Sequence, residues 1–137
     1  MMVFVDTSAF LAVLDADDTN HRTAARIWEK LLKDQAALVC SSYVLVETFA
    51  LVQRRLGMKA VRVLDEDILP LVKVEWIGED IHQQAVSAVL VANRRNLSLV
   101  DCASFAVMRR LGIREVFTFD KHFLEQGFET LPPRDHV

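Results

Sequence analysis

Four carboxylates in this chain stand where carboxylates are expensive, or directly after segments that should be buried. Glu47 lies inside Tyr43–Val52, a run that is otherwise almost wholly apolar. On a helix its neighbours three and four residues away are Tyr43, Val44, Ala50 and Leu51, a face that looks destined for the core. A lone ionised carboxylate there costs several kcal/mol unless a cation or hydrogen-bond donors meet it. Asp6 ends the apolar run Met2–Val5, Asp120 follows Glu115–Phe119, and Asp101 opens the apolar stretch Cys102–Met108. Should all four converge at separations near ~5 Å, each pair repels by roughly 3 kcal/mol at an effective dielectric of about 20. Such a cluster needs protons or divalent cations to stand. Oxygen donors without an accompanying His or Cys set point to Mg²⁺ or Mn²⁺ rather than zinc, and the expectation is a metal ion opposite Glu47.

Each acid also has a plainer explanation. An Asp after a strand is a good N-cap for the helix that follows, which covers Asp6 and Asp120. Ser98-Leu99-Val100-Asp101 has the spacing of a capping box, although Glu or Gln fills its last place more often than Asp. Glu47 has no such excuse, since caps at Ser41 or Ser42 would pair with Val44 or Leu45; a glutamate at the rim of a buried helix is the remaining alternative.

The elements that must position these residues follow from periodicity. Met2–Val5, Ala37–Cys40, Leu71–Trp76 and Glu115–Phe119 read as buried strands, with a further short strand around Phe128–Leu131 before Pro132-Pro133. Ser8–Leu14 is a short helical segment. Ala24, Ile27, Trp28, Leu31 and Leu32 recur at helical spacing after a cap at Asn20. Ser41 or Ser42 caps the helix that carries Glu47, which should end near Gly57. Helices are also expected over Met58–Leu69, broken by Pro70, over Glu79–Arg95, and over Ser98–Leu111, closed by Gly112. Strands alternating with helices predict an α/β domain with a central, mostly parallel sheet of four to five strands covered on both faces. No linker or internal repeat divides residues 1–137, so one domain is expected. Ligands of open α/β sheets bind outside the carboxyl ends of strands, and Asp6 and Asp120 would both project from that edge.

Composition narrows the field. No apolar run reaches the ~18 residues of a membrane span. The N-terminus lacks the basic segment of a secretory signal, and Cys40 and Cys102 have neither metal-ligand nor redox spacing, as expected of reduced core thiols in a cytoplasmic protein. The net charge of −3 argues against a generic nucleic-acid coat. Yet 19 acids less the four in question leave 15 against 16 Lys and Arg, so the scaffold outside them is not acidic. Basic residues cluster at Arg54-Arg55 with Lys59 and Arg62, at Arg94-Arg95, at Arg109-Arg110 with Arg114, and at Lys121. Most suit solvated helix ends, where the dipole favours cations; a few could track a single-stranded backbone.

Taken in order, Val5-Asp6-Thr7-Ser8-Ala9-Phe10, Val46-Glu47-Thr48, Leu99-Val100-Asp101-Cys102-Ala103-Ser104-Phe105 and Phe117-Thr118-Phe119-Asp120-Lys121-His122-Phe123 resemble the motifs of PIN-domain nucleases, the fold of the toxin ribonucleases of VapBC-type toxin–antitoxin pairs. The resemblance implies a three-layer PIN-like fold and an acidic metal site of Asp6, Glu47, Asp101 and Asp120, with Asp6 and Asp101 as direct ligands. It puts Thr7, Ser8 and Thr118 at the small hydroxyl positions beside that site. It also implies Mg²⁺- or Mn²⁺-dependent endoribonuclease activity giving a 5′-phosphate and a 3′-hydroxyl, an RNA substrate, a homodimer and a cognate antitoxin. Metal-held carboxylates suit phosphodiester hydrolysis, because the cation lowers the pKa of bound water and neutralises phosphate oxygens. Of His21, His82, His122 and His136, His122 alone lies near a candidate site residue in sequence, and is expected as a surface or helix-capping side chain.

Two rivals use the same layout. A phosphotransfer protein also places an Asp after its first strand, but the dehalogenase type needs Asp-x-Asp where this chain has Ser8. The receiver type needs an Asp after its third strand, where Val74-Glu75-Trp76 offers none. A non-catalytic interaction module that kept the fold is the other, and the presence of all four acids weighs against it.

Overall fold

Val3, Phe4 and Val5 are fully buried, as an apolar strand must be when both faces of its sheet are covered. A computed structural model describes residues 1–134; His136 lies outside the described residues. Among them Met2–Val5 (β1) pairs in parallel with Ala37–Ser41 (β2) on one side and Glu115–Phe117 (β4) on the other. Val72–Glu75 (β3) adds to β2, and Glu129–Leu131 (β5) adds to β4. The five strands are all parallel in the order β3-β2-β1-β4-β5. The expected α/β architecture is thus found, with β1 in the middle and the fifth strand present.

Helices Thr7–Leu14 (α1), His21–Lys33 (α2), Ser42–Leu56 (α3), Met58–Val63 (α4), Glu79–Ala92 (α5), Leu99–Leu111 (α6) and His122–Glu125 (α7) flank the sheet. α1 packs on α2 and α3, α6 lies against β2 and α3, and α5 packs on α6. Phe4, Phe10, Met108, Phe117 and Phe123 fill the core between these elements with almost no exposure.

Several boundaries differ from expectation for identifiable reasons. Asn20 precedes α2, but its side chain makes no capping hydrogen bond. Past Met58 the α-helix lasts only to Val63; it loosens into a π-helical turn at Leu64–Ile68 and tightens into a 3-10 turn at Leu69–Leu71. Pro70 cannot donate a backbone hydrogen bond, so the regular ladder has to give way around it. α5 stops at Ala92 because Asn93 takes the left-handed conformation, with φ of 52°, a stop that Asn tolerates better than most residues. α6 ends as expected at left-handed Gly112, φ 69°. No helix among the described residues is long and apolar enough to cross a membrane.

Candidate metal centre

The register of β1 and β4 creates the centre. Val5 pairs with Phe117, and the Asp6 amide donates to Phe117 O at 3.0 Å, so the parallel ladder carries one step further and lays Asp6 beside Thr118. The Thr118 hydroxyl donates to Asp6 Oδ2 at 2.9 Å, and Ser8 Oγ donates to the same oxygen at 2.8 Å. Asp6 occupies the N-cap position of α1 but makes no capping hydrogen bond; its carboxylate is turned toward the sheet edge instead. It is only 5% exposed. Burial, and then the charges of Asp101 and Asp120, push its pKa up to about 6 against the opposing pull of the Ser8 and Thr118 hydroxyls.

Asp120 reaches the same place by a second use of Thr118, whose Oγ1 accepts the Asp120 amide at 2.9 Å. Asp120 Oδ1 in turn accepts the His122 amide at 2.9 Å, opening α7. Asp101 arrives on the first turn of α6. Ser98 and Asp101 form a full capping box: the Asp101 amide donates to Ser98 Oγ at 3.1 Å, and the Ser98 amide to Asp101 Oδ2 at 3.0 Å. The cap leaves one Asp101 oxygen free of these bonds. Burial is the main influence raising the Asp101 pKa; the charge of Asp120 adds to it, against the Ser98 hydrogen bonds. Capping and site-building therefore coexist at Asp101 and Asp120.

Glu47 is placed differently. The buried line of α3 is Val44, Thr48 and Val52, one step round the helix from the face expected, while Glu47 is half-buried and Ala50 exposed. The residue after it, Thr48, donates its hydroxyl to Thr7 Oγ1 at 3.3 Å and ties α3 to the start of α1 beside Asp6. Glu47 itself makes no hydrogen bond or ion pair among the described residues. The structure thus brings Asp6, Asp101 and Asp120 together and leaves Glu47 on the neighbouring rim of α3.

The position of His122 overturns the expectation of a surface or helix-capping side chain. It is 6% exposed, and its Nδ1 lies 2.8 Å from Asp120 Oδ1 and 4.0 Å from Asp101 Oδ2. Nδ1 stands near Asp120 but off the line of a hydrogen bond, so both ring nitrogens lack a hydrogen-bond partner among the described residues. One donor atom each from Asp101, Asp120 and His122 lie within 4.8 Å of one another. The apolar neighbour Phe123, packed edge-on against Phe105 with ring centroids 5.1 Å apart, pulls α7 inward and buries the imidazole with it. Sequence spacing alone gives no sign of that burial.

Of the basic clusters, Arg94 pairs with Glu125 at 3.1 Å and Arg110 with Asp80 at 2.7 Å. Arg109 donates to Gln126 Oε1 at 2.8 Å and lies over the Phe128 ring. These three serve as surface ties.

A buried carboxylate with a raised pKa, two more acids and an unpartnered imidazole is a donor set that a divalent cation would satisfy. The model of the PIN domain matches residues 3–129 of the chain. The chain belongs to the PIN-domain family. A 23S rRNA-specific endonuclease, VapC20 of Mycobacterium tuberculosis, is 37% identical over 133 residues, covering 96% of this chain and 99% of the relative. A VapC ribonuclease of Aquifex aeolicus is 24% identical over 136 residues, covering 96% and 97%. The crystal structure of M. tuberculosis VapC20, described as a Sarcin-Ricin loop cleaving toxin, superposes with a TM-score of 0.82 at 35% identity over 92% of this chain and 95% of that one. FitAcB of Neisseria gonorrhoeae shares the fold, with a TM-score of 0.69 at 18% identity over 95% and 96% of the two chains. The full-length match makes this PIN domain one of the VapC ribonuclease type.

Proposed function

We propose that residues 1–137 form a single PIN-domain endoribonuclease that hydrolyses RNA phosphodiester bonds with Mg²⁺ or Mn²⁺, and that it is the toxin of a type II toxin–antitoxin pair. The observation that supports this reading is Thr118 tying Asp6 to Asp120 at the carboxyl edge of the sheet, with Asp101, set by its Ser98 cap, near enough for its charge to raise the Asp6 pKa. Asp6, Asp101 and Asp120 would hold the cation, with Glu47 completing the cage from α3. When bound, the cation supplies an activated water and charge neutralisation at the phosphate.

The protein's own part is positioning. Ser8 and Thr118 fix one oxygen of Asp6 and leave the other for a ligand. The capping box sets the direction of Asp101. The amide-rich start of α6 offers a favourable field for a phosphate near that carboxylate. Burial of Asp6 would limit the competition of bulk water for a cation held there.

VapC20 provides the first substrate to try, the sarcin–ricin loop of 23S rRNA, on the strength of 37% identity along nearly the whole chain. By the same family likeness, the protein works in the cytoplasm as a homodimer neutralised by a cognate antitoxin. The decisive assay incubates purified protein with this loop and with unstructured RNAs, with Mg²⁺, with Mn²⁺ and with chelator. Metal-dependent cleavage lost in both Asp6→Asn and Asp101→Asn is the expected result. Wild type as inert as the variants across the panel would hand the case to a non-catalytic PIN-fold module.

A further inference from the structure

We infer that His122 is a nitrogen ligand of the cation held by Asp101 and Asp120, and that it tilts this centre toward Mn²⁺ over Mg²⁺; the inference rests on the metal site proposed above and adds a donor to it.

A bare acidic cluster would not support this, but the imidazole is an independent observation. It is 6% exposed, and neither ring nitrogen has a hydrogen-bond partner among the described residues. Burying a polar side chain without aligned partners is costly, so a well-packed ring whose Nδ1 meets the acids only off-line calls for a better partner at that nitrogen. Nδ1 faces two carboxylates, Asp120 Oδ1 at 2.8 Å and Asp101 Oδ2 at 4.0 Å. A neutral ring presenting a lone pair to Asp120 at that distance is repelled. A proton on Nδ1 makes the contact an ion pair with Asp120 and Asp101, but its N–H still points off the line to the oxygen and leaves no aligned hydrogen bond. A cation among the three donors resolves it.

The separations suit one. An octahedral ion with bonds of about 2.1 Å sets cis donors about 3.0 Å apart and trans donors about 4.2 Å apart. The Nδ1–Asp120 distance matches a cis pair, and one donor atom from each of the three residues closes within 4.8 Å. The remaining histidines of known position are engaged elsewhere: His21 Nδ1 meets Ala12 O at 2.8 Å, and His82 Nδ1 meets the Tyr43 hydroxyl. Mg²⁺ favours an all-oxygen shell, whereas transition ions accept imidazole readily. Exchanging one oxygen for nitrogen therefore changes preference as well as affinity.

The test uses the intact protein and Mn²⁺ itself. Electron paramagnetic resonance first counts bound Mn²⁺, and pulsed measurements then look for ¹⁴N coupling to it. Coupling in wild type, lost in His122→Asn, is expected; Asn sets a hard amide oxygen close to where Nδ1 was. Calorimetric titration should show Mn²⁺ weakened about tenfold or more in His122→Asn and Mg²⁺ changed far less. Should that variant not fold, His122→Gln serves in its place, and the wild-type spectrum decides the matter without either. Bound Mn²⁺ with no nitrogen coupling overturns the assignment, as does equal weakening of both ions, which would make His122 a positioning residue for Asp120. Failure to bind Mn²⁺ at all would overturn the underlying metal reading as well.

Discussion

Thr118 Oγ1 donates to Asp6 Oδ2 at 2.9 Å while accepting the Asp120 amide at 2.9 Å, so one buried hydroxyl joins the acids that follow β1 and β4. Thr118→Val keeps the shape and removes both bonds. The Asp120 amide loses its acceptor, and Asp6 loses one of the two hydroxyls that hold its pKa down. A cost of about 1–3 kcal/mol in urea denaturation is expected, together with a higher metal concentration for half-maximal thermal stabilisation. Wild-type stability in the variant would mean that the hydroxyl couples nothing.

Asp6 makes the stability of the metal-free protein depend on pH in a direction opposite to that of a salt-bridged acid. Its pKa rises on folding from the ordinary 3.8 to about 6, so between these values the folded state holds a proton that the unfolded chain has released. The stabilisation is complete below about pH 4 and is lost as pH rises through about 6. At about 1.4 kcal/mol per pH unit the total is roughly 3 kcal/mol. In chelator, the difference in stability between wild type and Asp6→Asn should shift by that amount between pH 4 and pH 7, with wild type the loser at the higher pH. Adding Mg²⁺ or Mn²⁺ at pH 7 should raise the melting temperature of wild type and leave Asp6→Asn unmoved. A pH-independent difference would show that Asp6 is not held in a buried, proton-favouring site.

Much of this was legible in the sequence. The apolar strands, the Ser98 cap and the Gly112 stop are local signals, and they are found where periodicity and capping place them. Asp6 and Asp120 at strand ends follow from parallel topology alone, since every such strand ends on the same edge. What the sequence withheld depended on contacts between distant segments. The inward pull of Phe123 on His122 requires knowing that Phe105 and Phe128 sit beside it. The rotation of α3 that moves Glu47 to the rim goes with the burial of Val44, Thr48 and Val52, Thr48 meeting Thr7 across a gap of 41 residues, and an almost uniformly apolar helix carries no pattern strong enough to foretell it.

The capping box at Ser98 gives a way to disturb Asp101 without touching a carboxylate. Ser98→Ala removes the acceptor for the Asp101 amide and loosens the turn that presents the side chain. A loss of about 1 kcal/mol is expected from the cap itself. If Asp101 serves only the helix, metal-induced thermal stabilisation should be as large in the variant as in wild type. If it also serves the cation, the Mg²⁺ titration midpoint should move upward by several-fold, the outcome we expect.

Glu47 separates function from stability most cleanly. It is half-buried, makes no hydrogen bond or ion pair among the described residues, and stands one residue from the Thr48–Thr7 contact that locks α3 to α1. Neutralising it breaks no bond, so Glu47→Gln should fold with stability within about 0.5 kcal/mol of wild type in chelator. Its carboxylate has no structural duty to explain its half-buried place on the rim of α3, and its role as a ligand of the proposed cation predicts a selective defect. RNA cleavage should fall by about tenfold or more, and the thermal shift with Mn²⁺ should shrink. Thr48→Val provides the opposite pattern, with lower stability from the lost Thr7 contact and a smaller loss of cleavage per kcal/mol. Glu47→Gln cleaving at the wild-type rate with an unchanged metal shift would leave the site to Asp6, Asp101 and Asp120, with His122 beside them.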